Sequence, residues 1–415
     1  MLTLRYWRGS DYLKILGLFV LFRLLITLIG AYTASIRTPT SAFVGQTIYE
    51  TYRITAPSSG RLAELFLLPW LRWDTGWYLK IAALGYSATD GTIIFPPLYP
   101  LLIRLFALLF HGDYLLSGLF ISNVFSAICF ILFYKLTMME IGSEELAWRS
   151  LIYLVAYPAA FFFAAAYSES TYLIFALAAW IAILERKWIQ GGILAGIASL
   201  ARLQGWLMAL PFFWLLVSNN DISVAESPLN EVKRVIRQYI SKQAWKELFS
   251  RLLSGGWGVI AFPVLAYLGY SFWLSVQGLG SISEAFREYW NLTVVLPWVG
   301  FLEFIQRIFA GNLLFVDWVD LILFLIVILT CILATGRLRI SYSIYIWVTL
   351  ALMFMRGYSS HLFTGFMRYS LTLFPIFWII PKLVKNRYLE IALLTLSLLV
   401  QYILLWLFLN WYWVA

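Results

Sequence analysis

Asp74, Glu169, Arg202, Arg356 and Arg368 are charged residues set in or beside long apolar stretches of this chain. A positioned carboxylate can take a proton from a hydroxyl, and a guanidinium can hold a phosphate through paired N–H donors. Asp74 stands in LRWDTGWYLKIAALGY, residues 71–86. Asp is a favoured helix N-cap and Gly a favoured helix stop, so Asp74 and Gly85 also suit the two ends of a short helix. The two roles of Asp74 are compatible. IFPPLYPLLIR, residues 94–104, reads as a Pro-initiated interfacial helix with Arg104 snorkelling, or as a re-entrant wall of a site. In AYPAAFFFAAAYSES, residues 156–170, two apolar runs meet at the polar corner Tyr167-Ser168-Glu169-Ser170. That corner is either a plain turn with Glu169 in water or a place where Glu169 meets substrate or an arginine. LARLQGW, residues 200–206, sets Arg202 within apolar surroundings, where a charge is expensive and is a functional candidate by default. Arg356, His361 and Arg368-Tyr369 flank a further short loop, where arginines can also simply snorkel.

The elements that must position these residues are membrane helices. Hydrophobic residues make up 62% of the chain and charged residues 12%, against roughly 25% charged in soluble domains. Much of the surface must therefore face lipid. The expected fold class is an all-α polytopic membrane protein with about ten or eleven transmembrane helices in one domain, 1–415. Apolar spans are expected at 14–33, 115–139, 147–167, 170–185, 191–217, 257–277, 318–335, 340–357, 363–381 and 389–413, with 93–110 half-inserted. The first apolar run lacks a small-residue cleavage signature and is expected to be an uncleaved helix. The formal net charge is +9, which marks cytoplasmic loops better than it marks a nucleic-acid partner.

Lys and Arg in short loops orient the chain. Arg5, Arg8 and Lys14 place the N-terminus inside, as Arg186 and Lys187, Arg337 and Arg339, and Lys382, Lys385 and Arg387 do for later loops. Loop 218–254 is also basic and belongs inside, which a single helix at 191–217 would forbid. A break near Arg202-Leu203-Gln204-Gly205 removes the conflict. It makes eleven spans, points Arg202 outward and puts the C-terminus outside. Within that loop, 231–252 has apolar positions at helical spacing with basic residues between them, an amphipathic helix for the anionic inner leaflet. Segment 34–114 is too aromatic to be disordered and is expected as an ordered outer loop with interfacial helices. Asp74, Glu169, Arg202, Arg356 and Arg368 then converge near one membrane face, which suggests a site.

Two Cys and two His show no zinc spacing, so no metal is expected, and no cofactor. There is no Gly-rich phosphate loop and no Asp-x-Asp pair. An outward site has no access to cytosolic nucleotide sugars, so a sugar donor would have to arrive as a lipid phosphate.

WDTGWYLKIAALGY followed by IFPPLYPLLIR resembles the PIG-V family of mannosyltransferases and its prokaryotic relatives. AYPAAFFFAAAYSES and LARLQGW are similar to that family's next motifs, and the resemblance covers roughly 70 to 215. It departs at Trp77, where many relatives have His, and at Ile94-Phe95, where they often have a double Phe. The resemblance implies a GT-C glycosyltransferase bundle that transfers a hexose, with mannose expected, from a polyprenyl-phosphate donor to a lipid-linked or glycan acceptor hydroxyl. It also implies inversion at the anomeric carbon, no essential metal, and Asp74 as the catalytic carboxylate. A phosphate leaving group needs cations, for which Arg202 comes first, then Arg368 and Arg72. Trp73, Tyr78, Tyr167 and Glu169 complete the expected substrate-binding set. Membrane lipids are the remaining partners. The location is the cell membrane in a prokaryote and the endoplasmic reticulum membrane in a eukaryote. A transporter or lipid flippase is the alternative, because it too would use a broken helix and a buried arginine.

Overall fold

The computed structural model describes residues 9–36, 60–218, 228–311, 315–357, 365–412 and 414. The expectations for Arg5, Arg8 and His361, and for parts of the loops 34–114 and 218–254, lie outside these residues. In chain order the helices are α1 (Gly9–Ile36), α2 (Arg61–Phe66), α3 (Asp74–Leu84), α4 (Leu98–Ala107), α5 (Tyr114–Ile141), α6 (Glu144–Ala156), α7 (Glu169–Leu184), α8 (Trp188–Ala201), α9 (Ala209–Val217) and α10 (Pro228–Gln238). They continue as α11 (Lys242–Arg251), α12 (Gly258–Val276), α13 (Ile282–Tyr289), α14 (Pro297–Ala310), α15 (Phe315–Thr335), α16 (Ile340–Phe354), α17 (Phe366–Ser370), α18 (Ile379–Leu383) and α19 (Arg387–Leu409). The fold is an all-α polytopic membrane fold. Its one sheet among the described residues pairs β1 (Thr293–Val294) antiparallel with β2 (Arg356–Gly357).

Four helices among the described residues are long and apolar enough to cross a bilayer: α1, α5, α12 and α19. Their lipid faces are plain in α1, where Leu21, Leu24, Leu25 and Leu28 are exposed. Local signals set the ends. Asp113 accepts from the Leu116 N–H at 2.8 Å to start α5, and Gly142, with φ of 70°, stops it. Ser143 then caps α6, and Asn386 caps α19.

The core holds α7, α8 and α12 together by size. A Cβ on Gly192 would lie 2.3 Å from the Gly258 carbonyl oxygen, and one on Gly196 would lie 3.0 Å from the Phe262 carbonyl oxygen. This small-xxx-small stripe lets α8 and α12 touch backbone to backbone. Toward one end a stack of buried rings fills the bundle. Trp180 lies 4.3 Å from Tyr342, which meets Trp378 edge-on, and the Trp378 indole donates to Thr137 at 2.7 Å.

Segment 191–217 is broken where expected. α8 ends at Ala201, Arg202 is extended (φ −148°, ψ 138°), and a 3-10 turn over Leu203–Met208 leads into α9. The chain doubles back there. Ile189 at the start of α8 lies against Gly255, while Leu216 near the end of α9 lies against Gly256, and Arg251 donates to the Leu216 carbonyl. At 14 residues, α8 is about 21 Å long, short of a roughly 30 Å hydrocarbon core.

Two expected spans are not continuous helices. The span at 147–167 stops at Ala156, because Pro158 forces Tyr157 out of the helical region, to ψ 137°. The chain then makes a 3-10 turn over Ala160–Phe163 and irregular backbone to Ser168. The span at 363–381 likewise becomes α17, a 3-10 turn at Phe374–Trp378 that contains Pro375, and α18. Both interruptions are buried, as non-helical backbone at membrane depth must be. They face each other, with Tyr157 Oη and Ser370 Oγ 2.5 Å apart. The amphipathic stretch is also two helices, α10 and α11. The chain turns at Tyr239-Ile240, and Ser241 caps the second helix. Ile236, Ile240, Trp245 and Phe249 remain exposed along it.

Candidate active site

The two interrupted segments, the start of α3 and the turn after α8 bring four charges to one buried place. Asp74 is the first residue of α3 and Glu169 the first of α7, so each carboxylate sits at the positive end of a helix dipole. Asp74 is not the cap of its helix. Trp73 takes that position with φ of 51°, no side-chain capping bond is made, and the Asp74 carboxylate turns inward instead. Its Oδ2 accepts from Arg368 Nη1. Glu169 Oε1 accepts from Arg202 Nη1, and Arg368 Nε lies 3.3 Å from the same oxygen. Glu169 thus holds both guanidiniums while Asp74 holds one of them. The cluster is charge-balanced, with two carboxylates against two guanidiniums. That balance makes burial tolerable, since an unpaired buried charge costs several kcal/mol. Asp74, Arg202 and Arg368 are each 6% exposed and Glu169 is fully buried.

Aromatic rings and hydroxyls frame the charges. Tyr369 lies beneath both arginines, 4.8 Å from the Arg202 guanidinium and 4.9 Å from that of Arg368, and its hydroxyl accepts from Arg368 Nη2 at 3.1 Å. Gly365, with φ of 79°, gives Tyr369 its room, since a Cβ there would lie 2.6 Å from the ring. Tyr167 stands 5.2 Å from Arg368, and its hydroxyl accepts the Asp74 backbone N–H at 3.2 Å. Tyr78 and Ser168 share a hydrogen bond of 2.7 Å, and Arg202 donates to the same Ser168 oxygen at 3.4 Å. Gln204 donates to Thr372 at 2.9 Å, which ties the Arg202 turn to the segment that follows Arg368.

Acceptor capacity is left over. Glu169 Oε2 is buried and accepts no hydrogen bond from the described residues. A buried carboxylate oxygen in that condition calls for a ligand or water.

Of the expected site residues, Asp74, Tyr78, Tyr167, Glu169, Arg202 and Arg368 come together. Trp73 flanks them, half-buried, with its ring 5.9 Å from Trp411. Arg72 points elsewhere. Its Nε donates to the Leu409 carbonyl at 2.9 Å, its Nη1 donates to Leu68 and Leu71, and it lies 4.6 Å from the Trp411 ring. It clamps the end of α19 to the segment before α3. Arg72→Ala should therefore lower thermal stability by about 2–3 kcal/mol, the scale of a lost charged hydrogen bond. Melting and phosphate-ligand titration of the purified variant check this. Unchanged melting with weakened ligand binding would return Arg72 to the site. In the sequence Tyr369 is named only with Arg368 and Ser168 only in the 167–170 corner, and neither is in the expected substrate-binding set, although each is the chain neighbour of a charge that is.

Two cavities are lined in part by residues that neighbour Arg202 in the chain, Leu200 in one and Leu203 in the other. One, of about 640 Å³, is lined by apolar groups that include Ala82, Pro97, Pro100, Leu200 and Trp273, with Arg104 beside them. The other, of about 720 Å³, begins at Leu203 and Trp206.

No curated protein matches the chain. A family model described as Mannosyltransferase (PIG-V) matches residues 13–356.

Proposed function

The chain belongs to the mannosyltransferase (PIG-V) family, a membership that makes it a membrane glycosyltransferase, and on that premise we propose that it transfers mannose from a polyprenyl phosphate to an acceptor hydroxyl at the outer face of the membrane. The observation that carries this reading is the buried quartet of Asp74, Glu169, Arg202 and Arg368. It joins a carboxylate base to two forks suited to a phosphate.

In this mechanism the donor's phosphate enters between Arg202 and Arg368. Arg368 moves from Asp74 to the phosphate, which frees the carboxylate. Asp74 then takes the acceptor's hydroxyl proton. The acceptor oxygen bonds to the anomeric carbon from the face opposite the phosphate, and the bond from that carbon to the phosphate oxygen breaks. The electron pair leaves on the phosphate, where two guanidiniums stabilise the developing charge. Tyr369 keeps the guanidiniums side by side, and Glu169 anchors them when the site is empty. The apolar cavity beside Leu200 supplies a bed for the prenyl chain. The acceptor is a lipid-linked or glycan hydroxyl.

Purified protein incubated with polyprenyl-phosphate [3H]mannose and membrane lipid should yield a labelled product, while GDP-[3H]mannose should yield none. Transfer from the nucleotide sugar alone would overturn the donor assignment.

The membrane orientation has its own test. Thr89 lies in the turn after α3, and Lys246 lies on α11. In intact cells a membrane-impermeant thiol reagent should label Thr89→Cys and spare Lys246→Cys, which becomes reactive only after permeabilisation. The reverse pattern would place the site inside.

A further inference from the structure

We propose that Gln204 and Thr372 are positioning residues that hold Arg202 and Arg368 at the spacing a phosphate needs, an assignment that rests on the transferase reading above. Neither arginine stands on a long helix. Arg202 is extended between α8 and a 3-10 turn, and Arg368 lies in α17, which has five residues. In this structure the two guanidiniums meet at one carboxylate oxygen, Glu169 Oε1. A phosphate that enters between them draws on the same N–H donors, so the hold of Glu169 weakens as the phosphate binds. A second link must then keep the two backbone segments from parting.

A buried relay behind the charges supplies that link. Gln204 Nε2 donates to Thr372 Oγ1 at 2.9 Å, and Thr372 Oγ1 donates to the Tyr369 carbonyl at 2.6 Å. Tyr345 Oη donates to the Thr372 carbonyl at 2.6 Å, and Tyr172 Oη lies 3.2 Å from Tyr345 Oη. A hydroxyl has one proton to give. Thr372 gives its proton to Tyr369, so it accepts from Gln204. Tyr345 gives its proton to Thr372, so it accepts from Tyr172. Gln204, Thr372, Tyr345 and Tyr172 are all buried. At such depth a made bond is strong and an unmade one is costly.

The relay closes a ring with the site. Glu169 and Tyr172 are three residues apart on α7, so they share a face of that helix. From Glu169 the path runs through Arg202 to Gln204, across to Thr372, and back by Tyr345 and Tyr172. Gly205 seats the turn on α8, since a Cβ there would lie 2.5 Å from Ser199 Cα. Thr372 in turn fixes the backbone of Tyr369, whose ring lies beneath both guanidiniums. Gln204 and Thr372 therefore act on the phosphate through the arginines, by setting where the two segments stand.

A pair of substitutions in the purified full-length protein separates positioning from plain stability. Thr372→Val keeps the shape of the side chain and removes the hydroxyl. It strands the Gln204 amide, so the variant should melt below the wild type. Adding Gln204→Leu removes the stranded group and should restore much of the melting temperature, since the Tyr369 carbonyl still accepts the Thr372 N–H. Affinity for polyprenyl phosphate should not follow. It should fall on the order of tenfold in Thr372→Val, the effect of one lost hydrogen bond, and stay low in the double variant. Thr372→Ser keeps the hydroxyl and should bind like the wild type. In the transfer assay the loss should appear in the donor KM, with the acceptor KM unchanged. Donor affinity that recovers together with melting temperature in the double variant overturns the proposal, because the pair is then a structural bond only. Wild-type affinity in Thr372→Val overturns it as well, and so does a wild type that binds no polyprenyl phosphate. If the wild type transfers no mannose while its binding of polyprenyl phosphate still depends on the Thr372 hydroxyl, the transferase reading fails and the positioning stands.

Discussion

Asp74→Asn should lower turnover by about 10²-fold or more while the donor binds as tightly as in the wild type or more tightly. Asparagine can still accept from Arg368, but it cannot take a proton at neutral pH. It also removes one negative charge from the quartet, and Glu169 is then the one carboxylate of the quartet left to Arg368. The less tightly held guanidinium moves more readily to a phosphate, so affinity for the donor should not fall. Stability should drop by about 1–3 kcal/mol, because a charged hydrogen bond becomes a neutral one. Asp74→Glu restores the charge and moves the carboxylate by about one bond. It should recover stability but little activity, since a misplacement of about 1 Å can cost 10²-fold. Turnover at saturating substrates, donor titration and melting temperature separate these effects. Wild-type turnover in Asp74→Asn would remove Asp74 from the chemistry and leave Glu169, with its unbonded Oε2, as the carboxylate to examine.

Arg202→Ala should cost about 10²–10³ in kcat/KM, the usual loss when one preorganised donor to a developing anion is removed. Arg202→Lys should recover only part of this. Lysine keeps the charge but has no planar fork, and it would bridge phosphate, Glu169 and Ser168 less completely. The loss should appear in donor binding before acceptor binding. Both variants leave Glu169 paired with Arg368, so the fold has a fallback that an isolated buried carboxylate would lack. Titration with polyprenyl phosphate is the deciding measurement. Equal affinity in the wild type and Arg202→Ala would make Arg202 only the structural partner of Glu169.

The charges of the site were legible because each is expensive where it stands. Arg202 and Glu169 lie in apolar surroundings, and such residues announce themselves by cost. The break at Arg202 was legible for a related reason, since the basic loop after it contradicted a single crossing. What pairs with what was not legible. Arg368 meets Asp74 across 294 residues of chain and lies beyond the segment the family model matches, so neither motif order nor spacing ties the two. Arg72 misled because a cation next to Trp73-Asp74 says nothing about where its side chain points. In the fold it points to the Leu409 carbonyl, 337 residues away. The cap assignment of Asp74 failed for a backbone reason. Trp73 adopts the positive φ at the helix start, a conformation that composition alone does not signal. Hydropathy also averaged over Pro158 and Pro375, and so two interrupted segments passed for continuous spans. Those interruptions carry Glu169 and Arg368, and the backbone that hydropathy treated as ordinary is the backbone that builds the site.

A structure of the protein with polyprenyl phosphate bound, determined by electron cryomicroscopy in lipid nanodiscs, tests the central claim most directly. The phosphate should lie between Arg202 and Arg368 at charge-assisted hydrogen-bond distances of about 2.7–2.9 Å, with Arg368 drawn off Asp74 and the prenyl chain running along the Leu200 side of the turn. A phosphate bound elsewhere, with the Asp74–Arg368 and Glu169–Arg202 pairs left intact, would contradict it.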